Sequence, residues 1–547
     1  MGFKDLIGLG VDEKTQKLRD EAPKFEHVTW YKDPGLRILT FYSCVLCVSS
    51  MGTGWDGMYM GVVQNFESWN DFFDKPEGSR LGLLVALYQI GSVASIPLVP
   101  LIADRWGRRA SIALGFILMA IGSGLQAGAP DYATYSGGRV LLGFGNSFAQ
   151  IASPMLLAEL CHPQHRARFT TVYNCLWNMG SLLVSWTCFG TSYWGNDWSW
   201  RFPAILQGAP GLIQLVILFW IPESPRFLIA KDRQDEALNI LAKYHANGNV
   251  NHPTVQFEYR EIRDTIKAEQ LADNSSKYTD FLKTKGNRYR LIVLFSLGLF
   301  SQWSGNGVVS NYSARLYINA GLESENERLI ITAGKTILDM VVSIGCALLV
   351  ERLNRRFSFL FATGGMFLTL IFWTLTCGLF EQHQAPGANN AMIFLVWLHG
   401  VFYSTCWSGL LIGYAVEILP YSLRAKGLMF LNISVQIALL LNNYLNPLAF
   451  SAWEAPDKES LYGGNTWRLY LIYTIWVLGE VLFIYFMYVE TRGPTLEEVA
   501  KVIDGDNAAV ADVRLDSVEK EILTNEQAER VSSVDSKEVH EVSPSKV

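Results

Sequence analysis

Apolar residues come in long blocks along this chain, and the polar and charged residues collect between them. About twenty helical residues cross a bilayer's hydrocarbon core, so each block is read as a membrane-spanning helix. Twelve are predicted, at about 36–63, 81–103, 111–129, 136–158, 170–190, 202–221, 291–319, 328–350, 358–380, 391–416, 427–450 and 467–489. The interval 222–290 is long and charged, with helix-like segments at Arg233–Ala246 and Tyr259–Asp273, and it divides the blocks six and six. The pattern predicts an all-α membrane protein in two six-helix halves. Its parts are an N-terminal tail (1–35), a first half (36–221), a helical linker (222–290), a second half (291–489) and a C-terminal tail (490–547). That tail has no apolar periodicity and is expected to be disordered beyond about 504.

Composition agrees. Half of the 547 residues are hydrophobic and only 18% are charged, against about 25% charged in an ordinary soluble domain. The net charge of −6 lies outside the apolar blocks and points to no nucleic-acid partner. Seven of the eight cysteines (Cys44, Cys47, Cys175, Cys188, Cys346, Cys377, Cys406) fall within apolar blocks and read as packing residues. Cys44 and Cys47 are CxxC by count, but inside an apolar span that is a weak metal signal, and no cofactor is expected. Residues 1–35 are polar and mixed in charge, unlike a cleavable signal peptide.

Basic residues set the expected orientation. Arg105, Arg108 and Arg109, then Arg166 and Arg168, then Arg352, Arg355 and Arg356, then Arg424 and Lys426 occupy alternate loops, whereas 130–135 and 381–390 have none. The basic loops, both termini and the linker should therefore face the cytoplasm. The sequon at Asn274 then lies on the wrong side for glycosylation, and those at Asn311 and Asn432 lie inside spans. The loops also repeat: "DRWGRR" after the second span matches "ERLNRR" after the eighth, and "ELCHPQHR" after the fourth matches "EILPYSLR" after the tenth. Duplication of a six-helix unit produces such a register.

These loop motifs resemble the major facilitator superfamily. "PESPRFL" (222–228), "GGRVLLGFG" (137–145) and "VETRGPTLEE" (489–498) narrow the resemblance to its sugar porter family over about residues 36–500. "SQWSGNGVVSNY" (301–312) and "PYSLRAKG" (420–427) are most similar to the fungal lactose permease and cellodextrin transporter branch. The resemblance implies a secondary transporter that exposes one site to each side of the membrane in turn. Its expected partners are a mono- or disaccharide, protons and the lipid bilayer, and the expected state is a monomer in the plasma membrane.

Candidate residues follow. Asp56 is a bare acid in the first span, and such a charge at the bilayer centre costs on the order of 3 kcal/mol. Arg139 in the fourth span is its natural cation; both match the acid and arginine of proton-coupled sugar porters. The pair is read as a proton-coupling switch, with a permanent bridge in a uniporter as the alternative. Sugar contacts are expected from Gln302, Trp303, Asn306 and Tyr312, from Asn174, Trp407 and Gln436, and from Asn442 and Asn443; each could instead be interhelix glue. Gln302 matches the second glutamine of the family's double-glutamine motif, and Ser301 replaces the first. The acids Asp104, Glu159, Glu223, Glu351 and Glu417 should meet the arginines Arg108, Arg109, Arg166, Arg355, Arg356 and Arg424, as a cytoplasmic latch or as static staples of helix ends. Asp339 falls where the family has a sugar-contacting asparagine; an acid there would bind hydroxyls, act as a second proton site or recognise a different ligand, and the alternative is a local ion pair with Lys335, one turn away. Asn354, Gly409 and Asn311 also depart from the family pattern. A sugar sensor that does not transport, and a carrier of a polyol, organic acid or secondary metabolite, are the other readings. No nucleophile, base and orienter come together, so an enzyme is not expected.

Overall fold

The computed structural model describes residues 30–273, 279–322, 324–349, 353–385, 387–419, 423–453, 464–491 and 503. The first 29 residues, the sequon at Asn274 and the tail beyond 504 therefore lie outside the described residues. Met1–Pro494 forms one compact unit; of the other, Thr495–Val547, only Ile503 is described.

Within the first unit the described secondary structure is helical. The first half contains α1 (Pro34–Val63), α2 (Glu67–Phe72), α3 (Gly78–Ser95), α4 (Leu98–Trp106), α5 (Arg108–Ala127), α6 (Tyr132–Leu160), α7 (Pro163–Thr191) and α8 (Trp198–Leu218). The linker contains α9 (Pro225–Ala230), α10 (Gln234–His245), α11 (Pro253–Asp273) and α12 (Asp280–Lys283). The second half contains α13 (Lys285–Trp303), α14 (Asn306–Asn311), α15 (Ser313–Asn319), α16 (Glu325–Leu349), α17 (Arg355–His383), α18 (Ala388–Ile418), α19 (Arg424–Trp453) and α20 (Trp467–Met487). Helix is forced on such segments because lipid offers no partner to a backbone N–H or C=O.

Among the described residues, nine helices are long and apolar enough to span a membrane; α3 and α4, bent by 47° at Pro97, make a tenth if read as one span. Two expected spans fall short for different reasons. The described side chains of α7 include Asn178, Ser181, Ser185 and Thr191, all buried against protein rather than lipid. The seventh block breaks at Gly305, whose φ of +96° suits glycine, leaving α13 and two short pieces.

Large apolar side chains such as Phe219, Ile475 and Phe486 are exposed, as lipid-facing residues are. The interior of the first half is a cluster that includes Leu46, Tyr88, Phe116, Leu142 and Leu157. The linker helices bury small apolar clusters of their own around Phe227 and Leu241. They are tied to the first half where His245 Nε2 meets the Leu160 carbonyl at 3.1 Å and Asn247 Oδ1 accepts from the Gly35 N–H at 3.0 Å. The halves meet closely at α1 and α14: a Cβ on Gly61 would stand 1.9 Å from the Ser310 carbonyl oxygen.

Candidate functional site

Asp56 lies two turns before the end of α1 and is 1% exposed. Its Oδ1 accepts a hydrogen bond of 2.5 Å from Gln207 Nε2 of α8, while Oδ2 has no partner. Gln207 Oε1 in turn faces Gln126 Nε2 of α5 at 3.5 Å. Arg139 of α6 is also buried, and its guanidinium carbon stands 5.0 Å from the centre of the Tyr88 ring. Its charge reaches Asp56, yet its Nε and Nη1 have no hydrogen-bond partner. The structure thus brings the predicted acid and cation into one buried polar cluster without bonding them to each other. Gln207, Gln126 and Tyr88 complete it, and sequence reasoning missed all three. A glutamine in a span reads as interhelix glue, and only the position of Asp56 opposite α8 distinguishes Gln207.

The expected sugar contacts divide into groups. Asn443 Oδ1 accepts from Asn311 Nδ2 at 2.9 Å, and Tyr312 donates to the Asn443 carbonyl at 2.5 Å. Asn442 Nδ2 donates to the Gln302 carbonyl at 3.1 Å and its Oδ1 accepts from Asn446 at 2.6 Å, linking α13 to α19. Gln302 itself is half-buried, and its Nε2 donates to Ser301 Oγ at 3.1 Å. Trp303 donates to the Ala438 carbonyl at 2.9 Å and stands 5.6 Å from Trp476, ring to ring. Asn306 is half-buried at the start of α14, and Gln436 is buried on α19 with its Oε1 unpartnered. Trp407 does not join these groups. It is buried between α17 and α18, donating to Thr363 Oγ1 at 3.2 Å with Phe359 5.0 Å from its ring. Asp339 pairs with Lys335 Nζ at 2.5 Å, the local ion pair that the spacing allows. Glu480 of α20, another buried acid that sequence reasoning missed, accepts from Trp476 Nε1 at 2.6 Å.

At the end carrying the basic loops, acids and arginines pair within each half, and the two halves match. Arg108 meets Glu159 at 3.2 Å and Asp104 at 3.4 Å; Arg355 meets Glu417 at 3.2 Å. Glu223 accepts the backbone N–H groups of Arg108 and Arg109 at 3.1 and 3.2 Å, which caps α5. Glu490 does the same for Arg355 and Arg356 at 2.9 and 3.1 Å, which caps α17. Burial pushes the Glu223 carboxyl above its usual range, against those N–H groups. Arg109 and Arg356 donate to the carbonyls of Phe219 and Tyr485. Glu490 was not among the expected residues; its only sequence signal is its place in "VETRGPTLEE". The side chains of Asn174, Arg166 and Arg424, and residue Glu351, lie outside the described residues.

At the opposite end, contacts cross between the halves. Arg328 of α16 donates to Asn65 Oδ1 at 3.2 Å and to the Asn65 carbonyl at 3.3 Å, Arg315 pairs with Glu77 at 3.1 Å, and Ser192 meets Asn326 at 2.7 Å. The Glu67 N–H donates to Glu325 at 3.1 Å, and Gln64 donates to the Asn311 carbonyl at 2.9 Å.

The family model "Sugar (and other) transporter" matches residues 42–503. The chain belongs to this family. Among curated relatives it is 26% identical over 493 residues to the high-affinity glucose transporter of Kluyveromyces lactis, covering 87% of each chain. It is 27% identical to the MFS-type transporter criB of Aspergillus cristatus, over 86% of this chain and 94% of that one. Among solved structures, the inward-open xylose transporter XylE from E. coli is similar at a TM-score of 0.68 and 22% identity, over 85% of this chain and 99% of that one. XylE bound to 6-bromo-6-deoxy-D-glucose, described as a proton:xylose symporter, is similar at a TM-score of 0.65 and 21% identity, over 85% of this chain and 99% of that one. The protein is thus a multi-pass membrane protein of the sugar transporter family, with the all-helical fold of the major facilitator superfamily.

Proposed function

We propose that the protein is a proton-coupled symporter of a polyhydroxylated solute of mono- or disaccharide size. It works by alternating access as a monomer in the plasma membrane, with twelve crossings and with both termini, the linker and the basic loops in the cytoplasm. The lactose permease and cellodextrin transporter branch is its proposed place in the family. The site residues are Asp56 and Arg139 for the proton, with Gln207 holding the carboxylate. Gln302, Trp303, Asn306 and Asn443, with Asn174, serve the solute; Trp407 packs behind them.

The observation that carries this reading is the environment of Asp56. The acid is buried, one oxygen is held by a neutral amide, the other is unpartnered, and the cation stands near without bonding. A buried acid that gains or loses a nearby cation changes its proton affinity steeply, which is what a coupling group needs. The description of XylE as a proton:xylose symporter supports the same coupling here. The matched acid–arginine sets at the basic-loop end pair within each half, which favours static staples of helix ends over a latch between the halves.

In Asp56→Asn the residue stays neutral and the fold is kept. Reconstituted into vesicles, this variant is expected to exchange labelled solute across the membrane but not to accumulate it under an inward proton gradient. Uphill accumulation by Asp56→Asn would refute coupling through this residue.

A further inference from the structure

Lys335 and Asp339 are a costly pair to place inside a spanning helix, and replacing such a pair by apolar residues is often neutral for stability. They do not act as a closed staple. Asp339 uses one oxygen on Lys335, its other oxygen is unpartnered, and its side chain is 18% exposed. Tyr317 of α15, near enough to feel the charge of Asp339, lies within hydrogen-bonding reach of Trp397 of α18 and of Thr332. His399 of α18, beside Lys335, meets Thr369 through Nδ1 at 3.1 Å and reaches the backbone of Ser304 at the end of α13. Gly400 lets the pair lie against α18, since a Cβ there would stand 2.7 Å from Lys335 Nζ. On the α7 side, Cys175 meets Ser343, one turn further along α16. A buried ammonium held by one oxygen of a partly exposed carboxylate, whose other oxygen has no partner, is a charged site able to exchange its anion.

We infer that Lys335 and Asp339 form a charged subsite for the carboxylate of a sugar acid, an extension of the transport reading on which it rests. The solute arrives ionised; its carboxylate takes the place of Asp339 at Lys335 Nζ, and Asp339 takes one H⁺ from water. No covalent bond of the solute changes, and the site's net charge is unaltered, because one anion and one proton enter together. The hydroxyls of the same solute face the amides of the proposed sugar site.

The test is binding to the purified full-length protein, followed by tryptophan fluorescence, with D-glucuronate, D-gluconate and D-glucose as probes at about pH 5.5 and about pH 7.5. The acids stay ionised at both values, so tighter binding at the lower one reads the proton taken up by the protein. Any linkage through Asp56 acts on all three probes alike, so acid affinity is expected to rise more steeply with falling pH than glucose affinity, by up to about a further tenfold per unit. In Asp339→Asn the acids should show only the pH dependence that glucose shows. Lys335→Gln, or Lys335→Gln/Asp339→Asn if the single variant does not fold, should lose the acids and keep glucose. Glucose bound by the parent protein without either acid, or acid affinity that rises no more steeply with falling pH than glucose affinity, overturns the inference and leaves the transport reading standing. No probe of either kind bound by a protein that melts cooperatively counts against both.

Discussion

At the scale of single residues, coupling turns on what holds Asp56. Gln207 Nε2 donates to its Oδ1 at 2.5 Å, and Tyr88 stands within hydrogen-bonding reach of the same carboxylate. A hydrogen bond to a charged group contributes about 1.5–3 kcal/mol. Gln207→Leu removes it and leaves Asp56 to Arg139 and Tyr88 alone, so proton-driven uptake in vesicles is expected to fall at least about tenfold, with solute exchange less affected. Glu480 supplies the contrast. It is buried and bonded to Trp476, but it lies on α20, away from the Asp56 cluster. Glu480→Gln keeps an acceptor for the Trp476 N–H, and uphill uptake is expected to be unchanged. Loss of accumulation in Glu480→Gln would mean that a second acid carries the proton. Asp56 and Arg139 were legible in the sequence because a lone charge in an apolar block demands a reason. Gln207 and Gln126 were not, because an uncharged amide carries no such penalty and its partner is decided only when helices pack.

At the scale of elements, the acids after the sixth and last spans of the two halves do equivalent work. Glu223 and Glu490 each accept two N–H groups at the start of a long helix, where four backbone donors would otherwise be unpaired. Removing either acid is expected to destabilise the protein by about 1–3 kcal/mol, and by similar amounts for Glu223→Ala and Glu490→Ala, as seen in thermal melting in detergent. A large effect from one and none from the other would break the proposed equivalence of the halves. The spans themselves were mostly legible, because a bilayer leaves a chain few options other than long apolar helices. The exceptions are instructive. Block seven reads as one span but breaks at Gly305, where a left-handed backbone ends α13. The bend at Pro97 and the capping role of Glu490 needed coordinates, since a motif states which residues recur and not which atoms meet. Trp407 is the opposite case: its ring is packed between α17 and α18, and nothing in the sequence distinguishes a ring that packs from one that faces a cavity.

At the scale of the whole transporter, the inter-half contacts described above cluster at the end away from the basic loops. Arg328 spans that seam with two hydrogen bonds to Asn65 and a third to the Leu322 carbonyl at 3.0 Å, and Arg315 pairs with Glu77 across it. The basic-loop acids and arginines, by contrast, pair inside their own halves. These cross-half contacts hold the halves together at this end, so the balance between this state and its opposite depends in part on them. Arg328→Ala removes a charged donor set of roughly 2 kcal/mol, enough to shift a two-state equilibrium by about thirtyfold. Because α1 and α16 are fixed within their own halves, the loss should appear as separation of the halves and not as local unfolding. Spin labels at the exposed positions Asp71 and Glu327 would report it as a longer distance in Arg328→Ala, and longer still in Arg328→Ala/Arg315→Ala. The matching loosening at the other end, Arg355→Ala, should leave that distance unchanged, since its partner Glu417 lies in the same half. If both substitutions lengthened it equally, the seam would not be the element that sets which side is open.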